Sequence, residues 1–218
     1  MTYRTFLNIL MVVLLGFFVF YIHSLHARIS KLESLLFSQS KRNVYAIDTA
    51  NRPRIGDAQA TLEVLVFSDF TCPHCTELYH QIERLRRDYI DSKKVSFVFF
   101  SYPMLSHENS TLLAAVGKYG NAINQFESFY HRLYQKQDSL NIKNITEYFF
   151  DLVPDTADFR ARIMQSHQPA IEADIQLIKD FQIKGAPAFI IQDQLHLGLK
   201  TDERMKIALD EAVYNKTK

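Results

Sequence analysis

Thr61-Leu62-Glu63-Val64-Leu65-Val66-Phe67-Ser68-Asp69-Phe70-Thr71-Cys72-Pro73-His74-Cys75 is the stretch on which the fold turns. Residues 61–67 are short, apolar and rich in β-branched side chains, the composition of a buried strand. Ser68 to Thr71 carries the chain directly into Cys72. Pro73 suits the first turn of a helix, where the N–H it lacks would have no partner. Leu78, Ile82, Leu85 and Tyr89 then recur at helical spacing. A strand thus delivers two cysteines, three positions apart, to a helix amino terminus.

These are the only 2 cysteines among 218 residues. Cysteines this close cannot staple distant parts of a fold; they suit redox chemistry or metal binding. Only a thiolate attacks a disulfide. At a helix amino terminus, unpaired N–H groups and the helix dipole favour negative charge on Cys72. His74 can add a donor or a positive charge beside that sulfur. Cys75, one turn on, is placed to bond with Cys72 or to resolve a mixed disulfide. A stabilised Cys72 thiolate favours the reduced pair, which makes the disulfide oxidising. Haem attachment would need histidine directly after the second cysteine, where Thr76 stands. A zinc site recruiting Cys72, Cys75 and His80 would fall short of the four ligands of a closed site. A purely structural disulfide across so small a loop would add little stability. No metal or other cofactor is expected.

Outward from the motif, residues 95–100 (VSFVFF) form a second strand, ended by Tyr102-Pro103. Residues 104–181 read as mainly helical, with segments at 109–119, 122–135, 146–152, 156–166 and 169–181. Gly185-Ala186-Pro187 punctuates the chain, after which 188–192 returns to strand and 195–197 pairs with it. Asp193-Gln194 is the expected turn between them. Thr201 caps a last helix whose inner face is Met205, Ala208, Leu209, Ala212 and Val213. The order strand, helix, strand, helical block, hairpin, helix specifies an α/β, thioredoxin-like fold over residues 43–218, with a helical insertion at about 104–181. Phe126, Phe129, Tyr130 and Tyr134 read as a core stripe, with a peptide groove as the sharper alternative.

The amino-terminal segment differs in kind. After a short tail (1–5), residues 6–22 read FLNILMVVLLGFFVFYI. At about 1.5 Å per residue the run spans about 26 Å, close to a hydrocarbon core of about 30 Å. Residues 6–23 are therefore expected to form a transmembrane anchor; a signal peptide cleaved after Ala27 is the rival reading. Arg28, Lys31, Lys41 and Arg42 follow the run, which leans against export of the domain. A reactive dithiol fits an oxidising compartment, and export is expected on that ground. Within a helical stalk at 24–42, Leu25, Ile29, Leu32 and Leu36 form a short a/d seam. It is read either as a solvated stalk or as a homodimer contact through residues 25–36.

At Ile55-Gly56-Asp57, residues 62–67 and Ser68-Asp69-Phe70-Thr71-Cys72-Pro73-His74-Cys75, the chain resembles the DsbA-like thioredoxin-fold thiol–disulfide oxidoreductases. Tyr102-Pro103 with His107 and Gly185-Ala186-Pro187-Ala188-Phe189 extend the resemblance to the family's cis-proline loop. It covers about Ile55 to the end of the sequence. The resemblance implies that Cys72 is the exposed nucleophile and Cys75 its buried partner. Pro73 and His74 complete the motif. Pro187 would be cis and face Cys72, with Ala186 and Pro187 pairing to substrate as an added strand. Two positions depart from the family. Val66 stands where a buried carboxylate commonly accepts the proton of the second cysteine, so water would serve Cys75 instead. Glu63 and Asp69 are the nearest acids, and neither is in register. Ala186 stands where Thr or Val is usual.

The expected activity is donation of disulfides to cysteine-containing exported proteins, in the periplasm or extracellular space, with a membrane redox partner for reoxidation. A disulfide isomerase or reductase and a non-enzymatic binding or metal-handling module are the alternatives. The net charge of +1 gives no electrostatic case for nucleic acid.

Overall fold

The computed structural model describes residues 3–44, 47–103, 109–165 and 168–218. Its centre is strand β2 (Leu62–Ser68), in which six of seven residues are buried. A strand covered on both faces needs apolar side chains on both, which explains the unbroken run of Leu, Val and Phe. Helix α2 (Pro73–Leu85) crosses over and returns the chain to β3 (Val95–Ser101), parallel to β2. One turn of π-helix, Arg86–Ile90, prolongs α2 and buries Tyr89 and Ile90.

On its other side β2 pairs antiparallel with β4 (Ala188–Ile191), which continues into β5 (Gln194–Leu197). The short β1 (Arg54–Ile55) pairs antiparallel with β3, and the sheet order is β1-β3-β2-β4-β5. Two residues make too short a pattern for β1 to be legible as a strand. The hairpin turn lies one residue earlier than the sequence suggests. Ile191 pairs with Gln194, so Gln192-Asp193 forms the turn, with Gln192 at φ 54°. Gln194 belongs to the strand.

Between β3 and β4 lie α3 (Ser110–Ala122), α4 (Phe126–Lys136), α5 (Ile145–Phe149), α6 (Thr156–Gln165) and α7 (Gln168–Asp180). The helix expected at 122–135 starts later, because Asn124 takes φ 58° and separates α3 from α4. The α4 aromatics are core: Phe126, Phe129, Tyr130 and Tyr134 are all buried. Phe129 stacks on Phe149 of α5 at 4.8 Å. Gly117 of α3 leaves room for the Phe70 ring; a Cβ there would lie 2.9 Å from its edge.

A buried ionic cluster joins this insertion to the sheet. Asp174 of α7 is fully buried and accepts from Arg52, from Lys118 Nζ of α3 at 2.5 Å and from the backbone N–H of Ser101 at 2.8 Å. Burial pushes the Lys118 ammonium down, and the Asp174 carboxylate beside it opposes that shift. The last helix, α8 (Asp202–Thr217), is capped by Thr201 and buries Met205, Leu209 and Ala212, with Ala208 and Val213 packed partly against the core.

Asp48–Lys218 forms one compact unit. The amino-terminal unit is a single helix, α1 (Tyr3–Val44), with no break between the segments read as anchor and stalk. Its stretch Met11–Leu32 is long and apolar enough to cross a membrane. Leu25, Ile29 and Leu32 are exposed on it.

Candidate functional site

Sheet register assembles the site. The parallel pairing of Ser68 with Ser101 brings the carboxyl ends of β2 and β3 to the same edge. The antiparallel pairing of Phe67 with Ala188 brings the amino end of β4 to that edge as well. The loops before Cys72, after Ser101 and before Ala188 therefore converge, as ligand-binding loops do at the carboxyl ends of strands in α/β folds. The Tyr102 N–H donates to Ser68 O at 2.8 Å and holds two of these loops together.

Cys72 is the residue before α2, in extended conformation (φ −86°, ψ 124°), and Pro73 occupies the first helical turn. The Cys72 carbonyl accepts from the N–H groups of Cys75 and Thr76 at 3.0 and 3.1 Å. Its side chain is left free for chemistry, since it makes no capping bond. The Ala186–Pro187 peptide is cis, as the family resemblance implied. The Cys72 thiol lies 3.7 Å from the Ala186 carbonyl oxygen, to which it donates. Cys72, Cys75, Ala186 and Pro187 are thus brought together by residues more than a hundred apart in sequence.

Both cysteines are buried, Cys72 at 4% exposure where the resemblance implied an exposed nucleophile, and the two thiols are chemically unequal. The Cys75 thiol, donating to the Cys72 sulfur, is the largest influence lowering Cys72 to about 6. Burial opposes the shift, the N–H groups of Cys75 and His74 support it, and the Asp69 charge opposes it. Cys75 is fully buried, and its partnership with Cys72 followed by burial pushes its thiol upward. The pair therefore holds one ready thiolate and one retained proton. His74 contributes through its backbone, while its ring and Pro73 lie exposed at the surface. Tyr102 donates from its hydroxyl to Ile183 O at 3.4 Å, and Pro103 is half-buried beside it in sequence. His107 lies outside the described residues.

Val66 is fully buried between Phe99 and Phe189 in the sheet, so no carboxylate reaches the cysteines from that position. Asp69 comes nearer through its backbone: sequence register alone set it aside, yet it is buried and its N–H points at Cys75 Sγ from 3.5 Å. The legible signal was local. An Asp two residues before Thr71 forms an Asx turn, with Oδ1 accepting the Thr71 N–H at 2.8 Å. Tyr79 packs on Tyr130 and Tyr134, and Phe70, two residues before Cys72, lies against Tyr134 at 5.0 Å between ring centres. Among the described residues, no three His, Cys, Asp or Glu side chains gather as a metal site requires.

Comparison with known proteins agrees with this geometry. A family model described as Thioredoxin matches residues 48–211. The probable disulfide bond formation protein D of Bacillus cereus is 30% identical over 142 residues, covering 64% of this chain and 60% of that protein. The chain thus spans about three fifths of the length of that relative. Disulfide bond formation protein D of Bacillus subtilis is 21% identical over 176 residues, covering 76% of this chain and 78% of that protein. Among solved structures, oxidised BdbD from Bacillus subtilis matches with a TM-score of 0.67 at 18% identity, covering 77% of this chain and 95% of that one. The catalytic domain of Proteus mirabilis ScsC gives a TM-score of 0.68 at 20% identity, covering 82% and 98%. At such identities the structural likeness speaks for the fold. From ahead of β1 into α8, this chain belongs to the thioredoxin family.

Proposed function

We propose that the chain is a membrane-anchored dithiol–disulfide oxidoreductase that donates disulfides to exported proteins. The inequality of the two thiols carries this reading: Cys72 lowered to about 6, Cys75 raised. In the oxidised enzyme a substrate thiolate attacks Cys72 Sγ and breaks its bond to Cys75. Cys75 leaves with the electron pair and takes up a proton. A second substrate thiolate then attacks the substrate sulfur of the mixed disulfide, and Cys72 leaves as a thiolate. The substrate loses two electrons and becomes a disulfide; the enzyme gains them and becomes a dithiol. A thiolate as stable as Cys72 is a good leaving group, which drives the transfer towards the substrate disulfide.

Cys72 is the sulfur under attack in this scheme and Cys75 the leaving group of the first step. Pro73 starts the helix that stabilises Cys72, and His74 adds an N–H. Ala186 and Pro187 present backbone to an extended substrate. The apolar stretch Met11–Leu32 would span about 33 Å at about 1.5 Å per residue and serves as the anchor. A membrane partner would reoxidise the pair. The names of the Bacillus relatives favour a disulfide donor.

The test is oxidation of a reduced, unfolded protein by the oxidised enzyme. Wild type is expected to introduce disulfides stoichiometrically. Cys72→Ala is expected to introduce none, since without Cys72 there is no Cys72–Cys75 disulfide to donate. Retained activity in that variant sinks the reading. A strongly reducing potential for the Cys72–Cys75 pair would assign a reductase instead.

A further inference from the structure

A cavity of about 490 Å³ opens where the segment ahead of β1 meets the end of α3. Arg52 and Lys118 line it, together with Asn51, Asn121 and Asn124. The other described lining residues are alanines and a proline; none of them is acidic, and none belongs to the loops that converge on the cysteines. Asp174 pairs with both cations, yet it is fully buried and is not among the described residues that line the cavity. Two cations against one carboxylate leave one positive charge on the wall. Lys118 is 7% exposed, and an ammonium has three donors. Among the described residues its one acceptor is Asp174 Oδ2. Arg52 gives Nη1 to Asp174 and lays its guanidinium over the Phe100 ring at 4.6 Å. Its Nε and Nη2 have no acceptor among the described residues. Buried donors are normally satisfied, and a charge withdrawn from water calls for a partner.

We propose that this cavity binds a small polar organic carboxylate, held by Arg52 and Lys118 at its acid group and by the asparagines along its polar body. The inference stands independently of the redox reading. A monoanion balances the one excess charge. A phosphate group carries close to two negative charges at neutral pH and would leave a surplus beside the buried Asp174. Guanidinium N–H groups match the spacing of carboxylate oxygens, and charge-assisted bonds of this kind are the strong ones. The volume falls in the range of small-molecule sites, about 300–1,000 Å³, and exceeds what a bare ion would fill. Asparagine amides offer donors and acceptors together, which suits a ligand with amide or hydroxyl groups. Asn121 already spends one donor on the Asn51 carbonyl at 3.0 Å, which ties the two sides of the opening together.

Full-length protein in detergent is titrated calorimetrically with N-acetylglycine, with its neutral amide and with inorganic phosphate, at ionic strength held constant with chloride. Saturable binding of one N-acetylglycine per chain is expected, with the amide and phosphate binding at least about tenfold more weakly. Arg52→Gln removes a charged donor and should weaken N-acetylglycine at least about tenfold. Asn124→Asp is isosteric, lies on the exposed rim and keeps a residue type that tolerates the φ of 58° found there. It sets a negative charge on the wall and should weaken binding about three- to tenfold. Transfer of disulfides to a reduced protein should be unchanged in Asn124→Asp. Asn124→Asp alone decides the matter should Arg52→Gln not fold. No saturable binding of N-acetylglycine overturns the proposal. So does an amide or a phosphate that binds as tightly, or a folded variant that binds as wild type does.

Discussion

Asp69 and Asp174 are both buried carboxylates, and both tie the helical insertion to the same edge of the sheet. Asp174 binds Arg52, Lys118 of α3 and the N–H of Ser101 at the end of β3. Asp69 follows β2 and binds Ser110 of α3. The difference lies in their partners. Asp174 meets two cations, which compensate its charge where it sits. Asp69 accepts from the Thr71 N–H and hydroxyl and from the Ser110 hydroxyl, and its own backbone N–H points at Cys75 Sγ from 3.5 Å. One acid joins distant segments of the fold; the other lies on the segment that leads into the two cysteines. Burial alone does not distinguish them, because the meaning of a buried charge depends on what neutralises it.

The contrast can be broken most forcefully at Asp174. Asp174→Ala leaves Lys118 buried without its carboxylate and should cost about 3–5 kcal/mol, read from urea unfolding. The Cys72–Cys75 potential of the folded variant should match wild type. A large change in potential would show that the two acids are not separate in role.

The next test concerns the sulfur that Asp69 opposes. Cys72 lies at about 6 in the folded, reduced protein, below the unfolded thiol at about 8.5. A depressed group favours folding once the pH exceeds its unfolded value. That contribution is lost as pH falls through about 6. Reduced protein should therefore be more stable at pH 8 than at pH 5 by a margin that Cys72→Ala diminishes. Alkylation of the reduced enzyme should reach half its plateau rate near pH 6.

Gly117→Ala sharpens the comparison from the packing side. Its Cβ would lie 2.9 Å from the Phe70 ring, on the segment linking Asp69 to Cys72. Thermal unfolding should register a loss of about 1–3 kcal/mol, and the ring displacement should slow disulfide transfer several-fold. Smallest of all is Thr201→Ala, remote from both acids. It removes the cap that accepts from the Arg204 N–H at 3.4 Å and should cost about 1 kcal/mol, leaving redox behaviour unchanged.

Much of the fold was legible because its signals are local. The unbroken apolar run of β2, Pro73 at the helix start and the spacing of Leu78, Ile82 and Leu85 each speak through neighbouring residues. The break at Asn124 and the turn at Gln192 were not, because both place a non-glycine residue at positive φ, where composition carries little warning. The Asp174 cluster was equally hidden: Arg52, Lys118 and Asp174 come from three distant segments with no shared spacing.

For the site, the amino-acid order by itself determined the dithiol motif at a helix amino terminus, and hence which sulfur becomes the thiolate. Helix dipole and free N–H groups are properties of a few consecutive residues. Tertiary structure decided what surrounds that sulfur. The pairing of Phe67 with Ala188 sets the Ala186 carbonyl 3.7 Å from Cys72, and the Ser110 hydroxyl pins Asp69 beside Cys75. Electrostatic influence depends on distance through the folded protein and not on separation along the chain. That is why Asp69, out of register in the sequence, stands beside Cys75 with its backbone N–H 3.5 Å from the sulfur.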